Sequence, residues 1–106
     1  MELDLNSLQV VHNPSESRFE VALDGQMAVA TYRLLDGRMI INHTEVPPHL
    51  RRQGIAAKIM RAALDYARSN SLQVLPACPY AAEFIRKHPE YQDLIPPEDR
   101  ARFLGA

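Results

Sequence analysis

The sequence predicts an α+β fold, a mixed and mostly antiparallel sheet in the order β-β-β-β-α-β-α with helices packed on it. Three observations predict it. Asp-Gly pairs at 24–25 and 36–37 separate segments of strand character, and such pairs signal hairpin turns. A long amphipathic helical pattern runs from Ile55 to Ser69. A short apolar run follows it, and a strand, helix and strand in succession imply a right-handed crossover to a parallel neighbour.

The elements follow in order. Leu8–His12 is a short strand candidate, and Asn13-Pro14-Ser15-Glu16-Ser17 is a turn cluster. Arg18–Leu23 alternates polar and apolar residues, as a half-buried strand does. The return strand is Gln26–Leu35, with Met27, Val29, Thr31 and Arg33 on one face and Ala28, Ala30, Tyr32 and Leu34 on the other. The next strand is Arg38–Val46, which Pro47-Pro48 ends because proline cannot donate to a ladder. Ile55, Ala56, Ile59, Met60, Ala63, Tyr66 and Ala67 line one face of the helix that follows, and Lys58, Arg61, Asp65 and Arg68 line the other. Ser69-Asn70-Ser71 stops it. Leu72–Leu75 is the last strand, Ala81–His88 a short second helix, and Glu98–Leu104 a final turn or two beyond Pro89, Pro96 and Pro97.

The chain has 106 residues, enough for a single domain, 1–106, with one modest core. With 46% hydrophobic and 24% charged residues the composition is ordinary for a globular protein. A net charge of −1 favours neither nucleic acid nor membrane. One cysteine, Cys78, excludes an internal disulfide and leaves no pair for structural zinc, and His49 and His88 add no metal spacing. The start, Met1-Glu2-Leu3-Asp4, is acidic and lacks an apolar signal core, and no run approaches the ~20 apolar residues of a membrane span. The expectation is a cytoplasmic protein, monomer or weak dimer.

The informative stretch lies between the fourth strand and the helix. There Val46-Pro47-Pro48-His49-Leu50-Arg51-Arg52-Gln53-Gly54-Ile55-Ala56-Ala57 forms a basic loop that opens the helix. Such a loop aims a row of backbone N–H groups and a positive helix end at one spot, which suits a phosphate anion. Arg51, Arg52, Lys58 and Arg61 lie between Pro47 and Ala63 with no acid among them. A basic patch on a slightly acidic protein suits a small polyanion better than a duplex. A pyrophosphate must come close to successive amides, and a Cβ at Gly54 would obstruct that approach.

Arg51-Arg52-Gln53-Gly54-Ile55-Ala56 fits the pattern Arg/Gln-x-x-Gly-x-Gly/Ala. With the preceding Glu45-Val46-Pro47-Pro48, and with Cys78-Pro79-Tyr80 and Phe84–Tyr91 further on, the chain resembles the GNAT superfamily of acetyl-coenzyme A-dependent N-acetyltransferases. It is most similar to a small branch of about a hundred residues, over roughly Glu20–Tyr91. The resemblance implies a splay between the fourth and fifth strands in which pantetheine lies. It implies that backbone near Glu45 and Val46 pairs with pantetheine. Amides from Arg51, Arg52, Gln53, Gly54, Ile55 and Ala56 would hold the pyrophosphate, and Lys58 or Arg61 is a candidate for the adenosine phosphate. Larger members carry two helices between their first and second strands; His12–Arg18 is too short for them. The acceptor side should then be open and suit a protruding amine, such as a protein or peptide lysine or a polyamine.

Within that resemblance four side chains are candidates for chemistry. Glu45 reads either as a general base, acting directly or through a water, or as a solvated strand-end acid. His43, on the same face, is an alternative base or a structural histidine. Cys78 reads as a nucleophile forming an acetyl-cysteine, as a lining of the thioester pocket, or as a buried small hydrophobe. Tyr80 reads as the donor that protonates the departing thiolate or as a packed aromatic. The leading function is an acetyl-coenzyme A-dependent N-acetyltransferase, by direct attack or relay through Cys78. The alternative is a non-catalytic module that binds coenzyme A or acyl-coenzyme A. A nucleic-acid binder using the Arg51, Arg52, Lys58, Arg61 patch is weaker, because interleaved exposed aromatics are lacking.

Overall fold

The computed structural model describes residues 5–105; the acidic Met1–Asp4 and the terminal Ala106 lie outside them. The five-stranded sheet runs in chain order: β1 (Val11–Asn13), β2 (Arg18–Leu23), β3 (Gln26–Leu35), β4 (Arg38–Glu45) and β5 (Gln73–Pro76). The first four strands form an antiparallel meander, and β5 joins β4 in parallel after helix α1 (Ile55–Ser69). Helices α2 (Pro79–Lys87) and α3 (Arg100–Leu104) follow, with 3₁₀ turns at Pro89–Leu94 and Pro97–Asp99 between them. The α+β class and the β-β-β-β-α-β-α order are those the sequence predicts, with α3 the expected final turns.

Both hairpins turn where the sequence places them. Asp24 and Gly25 have φ of 54° and 73°, and Asp36 and Gly37 of 52° and 76°. Two successive positive φ values match the twist of the flanking strands, which is why Asp-Gly serves there. Boundaries shift where a residue has another use. Leu8 donates its N–H to the carbonyl of Leu5 in a turn at 3.3 Å, so the first strand starts at Val11. Leu72 closes α1 by donating to Ala67 at 2.8 Å, so the last strand starts at Gln73. The second helix starts two residues early, at Pro79, because Cys78 caps it and proline has no N–H to lose at that position.

The core lies on one side of the sheet. Phe19, Val21, Ala28, Ala30, Tyr32, Met39, Ile41, Val74 and Pro76 are buried and share a face by register. Against them pack Ile55, Ile59, Met60, Ala63, Leu64 and Ala67 of α1 and Ala81, Phe84 and Ile85 of α2. The opposite face of β2–β5 holds no fully buried side chain among the described residues. Leu34, assigned by alternation to the inner face, is 55% exposed because it sits at the hairpin end beyond the helices. The turn Pro89–Leu94 is a packed element that the prolines alone did not suggest: it buries Tyr91 and Leu94.

One irregularity positions the site. Thr31 pairs with His43 and Tyr32 with Ile41, so Asn42 is an extra residue in β4. Its Oδ1 accepts the Thr31 hydroxyl at 2.7 Å. A bulge bends its strand and breaks regular pairing. The parallel pairing with β5 ends at the same place, at Ile41 and Pro76. Ala77 and Cys78 both donate to the Ile41 carbonyl, at 2.9 and 3.0 Å, and the chain then leaves for α2. From Asn42 to Glu45, β4 has β3 on one side and no strand on the other.

Candidate functional site

The gap beside the end of β4 opens into a cavity of about 560 Å³. It is lined by residues from three places: His43, Thr44, Glu45 and Val46 at the end of β4; Leu50 to Ala57 of the loop and first turn of α1, Gln53 excepted; and Tyr80 of α2.

The backbone of the loop changes hand along its length. Pro48–Leu50 makes a single 3₁₀ turn, and Arg51 leaves it extended. Arg52 has φ of 63° and Gly54 of 87°, while Gln53 between them is not in the positive region. Backbone of alternating hand is the setting in which anion-binding nests form. Gly54 is the N-cap of α1 and offers no capping side chain, so the first-turn amides have no side-chain acceptor. The first intrahelical bond, Lys58 N–H to the Gly54 carbonyl, is 3.1 Å. Sequence reasoning singled out Gly54 and missed the left-handed Arg52, whose type gives no hint of such a backbone.

The structure adds a constraint on Gly54 that the sequence does not suggest. A Cβ added at Gly54 would come within 2.8 Å of Leu5 Cδ1, on the N-terminal segment, and would not be stopped by the cavity. Leu5 is half-buried against the core, and its carbonyl accepts a hydrogen bond from Lys58 Nζ. Glycine is favoured here by the positive φ, and a side chain in its place would also have to displace the Leu5 methyl. Lys58 is thereby tied to Leu5, and Arg61 lies over the Phe84 ring at 5.5 Å and 3.7 Å from Glu90. Neither of these two cations lines the cavity; Arg51 and Arg52 do. Arg51 Nε donates to the Val46 carbonyl at 2.9 Å, which staples the loop to the end of the strand and occupies that carbonyl. Gln53 turns away and donates to the His49 carbonyl at 3.2 Å.

The bulge decides which way the candidate catalytic groups face. Opposite Thr31 and Val29, His43 and Glu45 lie on the helix-free face, and opposite Ala30, Thr44 lies on the core face. His43 Nε2 and Glu45 Oε2 are 3.7 Å apart, and both side chains are well exposed. Cys78 is 6% exposed and is absent from the cavity lining. Its Sγ caps α2 by accepting the Ala81 N–H at 3.4 Å and touches Thr44 Oγ1 at 3.4 Å. Tyr80 borders the cavity beside it. Burial, and then the neighbouring Cys78 thiol, raise the Tyr80 phenol above its ordinary pKa, so it keeps its proton at neutral pH. The loop amides, two arginines, a carboxylate and a protonated phenol therefore surround one cavity. Such a set can hold a phosphate-bearing ligand and exchange protons at its far end.

Comparison with known proteins agrees with this geometry. A family model described as GCN5-related N-acetyl-transferase matches residues 18–94. The chain is 33% identical to Protein NATD1 of Gallus gallus over 85 residues, covering 77% of each chain. It is 30% identical to Protein NATD1 of Homo sapiens over 95 residues, covering 85% of this chain and 84% of that one. A GCN5-like protein from Staphylococcus aureus, solved in solution by NMR, superposes with a TM-score of 0.69 at 29% identity, over 87% of this chain and 91% of that one.

Proposed function

The chain belongs to the GCN5-related N-acetyltransferase family, and from that premise we propose that it moves the acetyl group of acetyl-coenzyme A onto an exposed primary amine, such as a protein or peptide lysine or a polyamine. The observation that carries this reading is the cavity beside the end of β4, where pairing with β5 has stopped, lined by the loop that opens α1 and by Glu45 and Tyr80. The residues present suit each part of the ligand. The amides of Arg51–Ala56 and the two arginines suit a diphosphate. The unpaired β4 edge beyond Ile41 suits the amides of an extended arm, which adds to a sheet as a strand does. Val46, Leu50, Ile55 and Ala56 suit its apolar parts.

Bound there, the thioester supplies an acyl carbon open to attack by nitrogen. Glu45, exposed at the mouth, takes a proton from the incoming ammonium, directly or through a water. As the C–N bond forms and the C–S bond breaks, the sulfur leaves with the bonding pair. Tyr80 gives it a proton and regains one from the acylated nitrogen, which sheds its second hydrogen as the amide forms, and Glu45 releases its proton to solvent. Burial of the Cys78 thiol in its capping position supports direct attack over a relay through an acetyl-cysteine. The bare acceptor side, where the turn Pro14–Glu16 alone separates β1 from β2, supports a second reading, a module that holds coenzyme A or acyl-coenzyme A without transferring it.

The test is incubation of the purified protein with labelled acetyl-coenzyme A and a lysate, alongside calorimetry. Label on an amine, retained when Cys78 is replaced by Ala, is the expected result. Label on Cys78 overturns direct attack, tight binding without label favours the module, and no binding overturns both.

A further inference from the structure

Thr44 borders the cavity, and none of the roles above uses it. It stands on the core face of β4 just past the bulge, between His43 and Glu45. Its Oγ1 is 3.4 Å from Cys78 Sγ, and that sulfur already accepts the Ala81 N–H at 3.4 Å. A thiol that accepts through a lone pair keeps its own hydrogen to give, and Thr44 Oγ1 is the oxygen beside it. Either atom of that pair can donate; where the S–H is directed at Oγ1, the hydroxyl hydrogen of Thr44 is free to point into the cavity that Thr44 lines. The cavity reaches Thr44 and Tyr80, the neighbours of the thiol, and not the thiol itself.

We infer that Thr44 donates its hydroxyl hydrogen to the carbonyl oxygen of a bound acetyl thioester, and that Cys78 is the positioning residue that orients it. The inference rests on the acetyl-coenzyme A reading above and names the group that tells an acylated ligand from a free thiol. As the amine nitrogen bonds to the acyl carbon, the carbonyl π pair moves onto oxygen, and Thr44 meets that charge as a fixed donor. The pair returns when the C–S bond breaks. Thr44 and Cys78 lose no proton and form no bond in the cycle. A buried cysteine is thereby given a role without covalent chemistry.

Affinities for acetyl-coenzyme A and for coenzyme A, measured by calorimetry on wild type, Thr44→Val, Thr44→Ser and Cys78→Ala, test it. Wild type binds the acetylated ligand more tightly. Thr44→Val weakens acetyl-coenzyme A about five- to tenfold, as expected for one lost hydrogen bond, and leaves coenzyme A within about twofold. Thr44→Ser restores the preference, and Cys78→Ala loses part of it. With ligand labelled by carbon-13 at the carbonyl, the resonance moves downfield in the wild-type complex and fails to do so with Thr44→Val. Should the valine variant not fold, Thr44→Ala is measured in its place. An unchanged ratio in the valine variant, or a loss in the serine variant as full as in valine, overturns the inference while the proposed function stands. Failure of wild type to bind either ligand overturns the proposed function and this inference with it.

Discussion

At the scale of single residues, placement separates groups that look alike in the sequence. Glu45 and Cys78 are both candidates there, yet one is exposed at the cavity mouth and the other caps a helix behind Thr44. Glu45→Gln should lower turnover on a responsive amine by on the order of 100-fold, the usual worth of a general base. Its affinity for coenzyme A should change less than about twofold, because glutamine keeps the shape and leaves the β4 backbone in place. His12 makes a second residue-scale prediction. Its ring stacks on Phe19 at 4.3 Å, meets Tyr66 edge-on at 4.4 Å and hydrogen-bonds the Tyr32 hydroxyl. Burial lowers its pKa below the ordinary 6.5. The folded state therefore resists the proton that the unfolded chain accepts, so this histidine costs stability as pH falls through 6.5 toward the lowered value, with no contribution above it. Thermal melts between pH 7.5 and 5 should show that slope, and His12→Phe should flatten it.

The loop and the first turn of α1 form the element proposed to hold the ligand, and its two left-handed residues make opposite predictions. Arg52 pays roughly 1–2 kcal/mol for a positive φ that glycine adopts freely. Arg52→Gly should raise the melting temperature by a few degrees and weaken coenzyme A binding, most at low salt, where lost charge is least screened. Gly54→Val should lower stability by about 2 kcal/mol or more, through the strained φ and collision with Leu5. The sequence alone suggests that Gly54→Val abolishes coenzyme A binding with little loss of fold. A melt together with calorimetry distinguishes the two expectations. Most of this element's backbone was legible beforehand: Pro47-Pro48, the arginine pair, the glycine and the amphipathic run declare a strand end, a loop and a helix. The bulge at Asn42 was not legible, since an extra residue in a strand leaves alternation locally intact and shows itself only against its partner. Nor was the capping role of Cys78, because cysteine is not a usual cap.

For the whole molecule, the strand order and both hairpins follow from local signals, while the tail's packing depends on distant contacts. Arg68 near the end of α1 grips both carboxylate oxygens of Asp93 at 2.9 Å and the Glu90 carbonyl at 2.7 Å, which fastens the turn Pro89–Leu94 to the helix. The bond to Arg68 holds the Asp93 carboxyl below its ordinary pKa, so this tie loosens only in acid. Deeper in the core Leu64 is fully buried, although it lies outside the stripe read from helical spacing. Leu64→Ala should cost ~2–5 kcal/mol, a large part of what a domain of this size has, and urea melts would register it as a lower midpoint at unchanged slope. Because α1 and α2 are stacked on the opposite side, the flank of the sheet that carries His43 and Glu45 has no overhanging rim among the described residues. On the proposed function, a large folded acceptor would be presented flush to that flank without being threaded into a slot. If so, a lysine on an intact protein and the same lysine in a short peptide would be modified at similar rates.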